Sequence, residues 1–175
     1  ISWHAGISAW KKYKSLNKNS IGIEISNPGH NFKYKNFSKK QIFAIVKLSK
    51  FLIKKYKIKP ENFLGHSDIA PDRKSDPGEK FPWKSLSKIN IGYWHNLNNQ
   101  KLLKERHVHT NDFEKKKFIK NLFMIGYRKN NKISKNKYSK ILSSAFQRRF
   151  RQELINGVID QECLIISKNL LKKLK

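Results

Sequence analysis

The sequence predicts an α/β unit followed by a small all-α three-helix bundle, and three observations predict it. Between residues 20 and 66 a strand, an amphipathic helix and a second strand follow one another. From Asp112 onward the only periodicity left is helical. The hydrophobic share of 38%, with four Trp, six Tyr and eleven Phe, is enough for real cores in 175 residues. The expected organisation is an α/β part over residues 1–95, a linker over 96–111 and a helical part over 112–175.

The segment SIGIEIS, Ser20 to Ser26, alternates cleanly. Ile21, Ile23 and Ile25 share one face; Gly22, Glu24 and Ser26 share the other. Asn27, Pro28 and Gly29 end it in a turn. Ser38 with Gln41 three residues on is a capping-box pattern. Ile42, Ile45, Val46, Leu52, Ile53 and Tyr56 then recur at helical spacing, which predicts a helix from about Ser38 to Lys57. NFLGH reads as a short strand that delivers His66 to a loop. If the two strands are parallel they form a right-handed crossover, with Glu24 and His66 at strand ends, where α/β sites are built.

FPWKSL predicts a short helix with Pro82 in its first turn, and the polar stretch from Asn96 to Asn111 reads as the linker. Phe118, Leu122 and Ile125 mark the first of three later helices. Tyr138, Ile141, Leu142, Ala145, Phe146 and Phe150 mark the second. Cys163, Ile166, Leu170, Leu171 and Leu174 mark the third, with Asp160 as its N-cap, so Cys163 reads as a core residue.

The net charge is +27. Such a charge suits a polyanionic partner, but a nucleic-acid footprint gathers its cations on one face or segment. Here the lysines are spread along the whole chain beside Asn, Ile, Phe and Tyr, as A/T-rich codons would produce. The expectation is no nucleic-acid partner. No apolar run approaches the roughly 20 residues of a membrane span. A single cysteine excludes an internal disulfide and a cysteine-based zinc set. Ile1 is neither an initiator Met nor the start of a basic-then-apolar leader, so a removed leader or a fragment is expected.

The loop GHSDIAPDRKSDPG, Gly65 to Gly78, concentrates titratable groups between glycines and prolines. His66 and Asp76 are of the type that ligates a metal, Lys74 of the type that stabilises an anion, and Glu24 of the type that moves protons. Two protein ligands are too few for zinc, so a third is required. On spacing alone, Asp68, Asp72 and Asp76 read equally well as turn residues and His66 as a turn-stabilising histidine.

WHAGISAWKKYKSLNKNSIGIEISNPG, followed after a helix by GHSDIAPDRKSDPGEKFPWKSL, resembles the zinc-dependent N-acetylmuramoyl-L-alanine amidases of the amidase-2 family. The likeness runs from Trp3 to Leu86. AFQRRFRQELINGVIDQE resembles a helical peptidoglycan-binding-like module, with Gln147, Gly157 and Asp160 at the matching places. The resemblance implies a mixed central sheet flanked by helices, with the first strand region missing. It also implies Zn2+ held by His66 and Asp76, with Glu24 acting on the attacking water and Lys74 on the transition state. His4, in the WHAG segment, is implied as a substrate contact, whereas His30, His95, His107 and His109 match no ligand position and read as exposed polar residues. The family's first zinc ligand is a histidine upstream of WHAG, in a segment this chain does not contain.

The implied partner is peptidoglycan or its muropeptides, cut between N-acetylmuramic acid and L-alanine. A monomer is expected, in the cell envelope as a periplasm-facing outer-membrane lipoprotein anchored upstream, with the cytoplasm as the alternative. The alternative function is a non-catalytic peptidoglycan-binding remnant without a complete zinc site. A nucleic-acid binder is supported by charge alone.

Overall fold

The computed structural model describes residues 2–174. Its longest helix, α1 (Lys39–Tyr56), starts where the capping pattern places it. Ser38 Oγ accepts from the Gln41 amide at 3.2 Å, and Gln41 Oε1 accepts from the Ser38 amide at 2.9 Å. Two orphan amides of the first turn are thereby satisfied.

The expected mixed sheet is not present among the described residues. Ser20–Ser26 and Phe63–Gly65 lie outside regular structure, Asn62 ends a 3-10 turn (Pro60–Asn62), and His66 starts a helix instead of ending a strand. The sheet that forms is a two-residue hairpin, β1 (Ala9–Trp10) against β2 (Tyr13–Lys14). Alternation decides which side chains share a face, but a strand exists only where a neighbour bonds its backbone. No described strand pairs with the backbone of Ser20–Ser26, and Ile21 and Ile23 stay 51% and 38% exposed.

The rest is helical: α2 (His66–Ile69), α3 (Trp83–Ser87), α4 (Asn99–Glu105), α5 (Asp112–Ile125), α6 (Lys135–Phe150) and α7 (Gln161–Lys173). Pro82 is the N-cap of α3 and not part of its first turn. The stretch read as a linker holds α4, capped by the Asn98 side chain and anchored by buried Leu102. Phe118, Leu122, Leu142, Phe146, Cys163, Ile166 and Leu170 are fully buried where α5, α6 and α7 meet.

These three helices do not stand apart as a bundle. α6 also packs on α2 and α3, and α4 packs on α7. A single apolar cluster runs from Ala5 and Trp10 through Ile45 and Trp83 to Leu170. The consequence for the site is direct: the loop after Gly65 rests on helices from the other end of the chain.

Candidate metal and catalytic site

The loop from Gly65 to Gly78 folds as one helical turn, α2, and a return. The Ser67 amide donates to the Asp76 carbonyl at 2.9 Å, closing the loop, while the Arg73 and Lys74 amides donate to Ala70 O. This closure sets His66 Nδ1 3.2 Å from Asp76 Oδ2. The other ring nitrogen, Nε2, lies 3.2 Å from Ala5 O. A carbonyl only accepts, so Nε2 is the nitrogen that carries the proton. In a neutral ring the lone pair of Nδ1 then faces a carboxylate oxygen, an arrangement that calls for a proton or cation between them.

That arrangement tests the implied metal. A metal-bound histidine characteristically donates its second N–H to a backbone carbonyl, as His66 does to Ala5. Tetrahedral zinc with bonds of about 2.1 Å separates neighbouring donors by roughly 3.4 Å, close to the spacing seen. His66 and Asp76 therefore fit two corners of a zinc site. Among the described residues no group of three His, Cys, Asp or Glu is gathered to complete it. Burial raises the Asp76 carboxyl, but the hydrogen bond and charge of His66, helped by Lys74, outweigh it and hold it below its ordinary value. Lys74 itself is exposed, so its ammonium is free to reach a ligand.

The WHAG segment is tied to this loop by Arg73, whose guanidinium donates to Ala5 O at 2.8 Å and to Ile7 O at 2.8 and 3.1 Å. Gly6 lies between them at φ +57, and a Cβ there would stand 2.8 Å from Arg73 Nη2. His4 has both ring nitrogens engaged, with Ser2 O at 3.0 Å and Ser20 Oγ at 2.8 Å. A Cβ on Gly22 would strike the His4 ring, so the SIGIE segment passes directly against it. Glu24, two residues on, is exposed. The structure thus brings His66, Asp76 and Lys74 together, and joins His4 to the segment that carries Glu24.

Several residues around the loop have no signature in the sequence. Tyr34 Oη donates to Pro77 O at 2.6 Å and accepts from the Lys80 amide at 3.1 Å, and its burial pushes the phenol up to about 12. His30, exposed as expected, pairs with Glu79 at 2.9 Å. Burial raises the Glu79 carboxyl, but the His30 hydrogen bond prevails and holds it below the ordinary value. His95, also expected to be exposed, is buried. Asp68 is no turn ornament either, being buried against Arg149 and Tyr127. These partners are 43 to 81 residues apart, beyond any local pattern. A groove of about 1260 Å³ adjoins the loop, bounded by Ile7, the hairpin, Pro71, Asp72 and the α5–α6 turn, but His4, Glu24, His66, Lys74 and Asp76 do not line it.

The profile of the N-acetylmuramoyl-L-alanine amidase family matches residues 1–79. The Escherichia coli AmiD amidase in complex with anhydro-N-acetylmuramic acid-L-Ala-D-gamma-Glu-L-Lys superposes with a TM-score of 0.86. It is 36% identical, over 99% of this chain and 69% of its own. The chain belongs to the N-acetylmuramoyl-L-alanine amidase family. Within that family, the curated AmiD of Escherichia coli K12 is 39% identical over 99% of this chain and 64% of its own length. The AmpD amidase of Enterobacter cloacae is 38% identical, but over only 47% of this chain and 42% of its own length. AmpDh3 of Pseudomonas aeruginosa in complex with anhydromuramic pentapeptide gives a TM-score of 0.83 at 34% identity, over 98% of this chain and 69% of its own. The chain spans less than two thirds of the curated relatives' lengths.

Proposed function

We propose that this amidase-family chain hydrolyses the amide bond between the lactyl group of N-acetylmuramic acid and L-alanine in peptidoglycan or muropeptides. The observation that carries the reading is the His66–Asp76 pair, with Nδ1 and Oδ2 3.2 Å apart and Nε2 bonded to a carbonyl. His66 and Asp76 would hold Zn2+, with a third donor supplied, as the family resemblance implies, by a histidine upstream of Trp3. Zinc, when bound, supplies Lewis-acid activation of water and of the amide carbonyl. Glu24 takes the proton of the attacking water and returns it to the leaving amine as the C–N bond breaks. Lys74 meets the negative charge that grows on the carbonyl oxygen. The products are a free lactyl carboxyl and a free L-alanine amine. His4 contributes by positioning the Ser20–Glu24 segment, and through it any substrate contact.

In this reading residues 1–95 carry the chemistry and residues 112–175 form the peptidoglycan-facing helical part. The place of action proposed is the cell envelope, as a monomer anchored from outside the described residues. No described helix is long and apolar enough to cross a membrane.

A second reading, muropeptide binding without turnover, is favoured by one observation: no described three-donor cluster completes the metal site. Zinc stoichiometry and peptide release from anhydro-muropeptide separate the two. The amidase reading expects one zinc per chain and free peptide. It also expects Glu24→Ala to lower turnover by about 10²–10⁴-fold with zinc retained. Protein that binds muropeptide, takes up well under one zinc per chain and releases no peptide would establish the second reading.

A further inference from the structure

Asp68 lies two residues after His66, on the same helical turn, and is 1% exposed. Its Oδ2 accepts from the Gly65 amide at 2.7 Å and from Arg149 Nη1, and its Oδ1 accepts from Tyr127 Oη at 2.8 Å. Arg149, 2% exposed, donates its other terminal nitrogen to Phe63 O at 2.7 Å and lies over the Trp83 ring at 4.1 Å. Tyr127 is wedged edge-on against Trp10, with ring centroids 5.0 Å apart. The backbone on both sides of His66 is therefore held by two side chains from the helical half: Arg149 of α6, and Tyr127, two residues past the end of α5. Both interact through a carboxylate that water does not reach. Inside a protein, a charge so enclosed and so fully bonded has few alternative positions.

We propose that Arg149 and Tyr127, acting through Asp68, are positioning residues for His66, and that the helical half is built into the amidase site. This rests on the reading of His66 as a metal ligand, and it assigns the helices a task beyond contact with the wall. His66 has two fixed points: the Ala5 carbonyl, which orients its ring, and the α2 turn, which places its backbone. The second of these depends on residues 59 and 81 positions away from Asp68.

The test uses the full chain and three variants: Tyr127→Phe, Arg149→Lys and, as a control, Leu142→Ala, which opens the same helical core away from the network. Side-chain ¹⁵N–¹H correlation spectra at one fixed pH read the His66 ring, with His4 and His30 as internal references. Zinc titration against a chromophoric chelator reads affinity. The positioning role predicts that Tyr127→Phe and Arg149→Lys displace the His66 resonances and each weaken zinc by about 10-fold, the lower end of what orienting partners of a metal ligand contribute. Leu142→Ala should lower the urea midpoint and leave the His66 resonances and zinc affinity at wild-type values. Unchanged His66 resonances in both network variants, or equal displacement in Leu142→Ala, would overturn the proposal. If the wild-type chain takes up no zinc, loading needs the third donor upstream of Trp3, peptide release decides the amidase reading, and the His66 resonances decide the positioning role on their own.

Discussion

Phe43 and Phe146 sit in two amphipathic helices of similar length, yet the first is 70% exposed and the second is fully buried. The same contrast runs through the two halves. In α1 the buried residues are Ile45, Ser49 and Leu52, while Leu48 and Phe51 face outward. In α6 the buried set includes Leu142, Ala145, Phe146, Gln147, Arg149 and Phe150. A helix closes its own backbone hydrogen bonds, so it forms wherever periodicity and caps permit. Burial of its apolar face depends on what stands opposite. In the second half helices stand opposite helices; in the first, the apolar faces of α1 and of Ser20–Ser26 have less described structure to meet.

The two halves also treat buried charge alike. Near the site, Arg149 answers Asp68; between α6 and α7, Arg151 answers Asp160 and Glu162. Gln147 completes the second cluster by accepting from the Asn156 and Gly157 amides at 3.0 and 2.8 Å. Residues that resemble a wall-binding signature, Gln147, Gly157 and Asp160, are thus the internal clasp of the α6–α7 loop.

Substituting the two phenylalanines measures the contrast directly. Phe146→Ala should cost about 3–5 kcal/mol through loss of burial and the cavity left behind, seen as a lower urea midpoint. Arg151→Met should cost about 3 kcal/mol by leaving Asp160 and Glu162 buried with less compensation. An unchanged midpoint in that variant would show that the clasp carries no stability.

A smaller effect is expected from His95, whose burial, reinforced by the Lys84 charge, pushes its pKa down to about 4. Its Nδ1 accepts from the Leu97 amide at 3.4 Å, which requires the neutral ring. The unfolded chain takes up the proton first, so the stabilisation is intact above about pH 6.5 and is lost as pH falls towards 4. The loss is below about 3 kcal/mol, and His95→Gln should flatten that part of the stability curve in denaturant titrations repeated across pH. Smallest of all, Phe43→Ala should change stability by no more than about 0.5 kcal/mol. A loss near that of Phe146→Ala would mean that the exposed face of α1 is covered in solution.

Much of this was legible in the residues. The cap at Ser38, the apolar spacing of α1, α5, α6 and α7, and Asp160 as N-cap are local patterns, and each appears where periodicity places it. His66 and Asp76 bound the eleven residues between Gly65 and Pro77, a length that permits their contact without imposing it; the Ser67–Asp76 backbone hydrogen bond brings them together. The hairpin at Ala9–Lys14 has no turn signature, since Lys11 and Lys12 at its turn carry none of the usual glycine or asparagine signal. The strand at Ser20–Ser26 was anticipated from alternation, which specifies faces and is silent about neighbours.

From the sequence alone came α1, α3, α5, α6 and α7, the loop with its metal-type donors, and the residues that resemble an amidase, because each depends on neighbours within a few positions. The tertiary structure decided that Nε2 of His66 is given to Ala5, that His95 is buried, and that Asp68 is gripped by Arg149 and Tyr127. Those facts join residues 59 to 81 positions apart. No local pattern encodes such pairs; they exist because a buried charge or N–H must find a partner wherever the packed chain brings one.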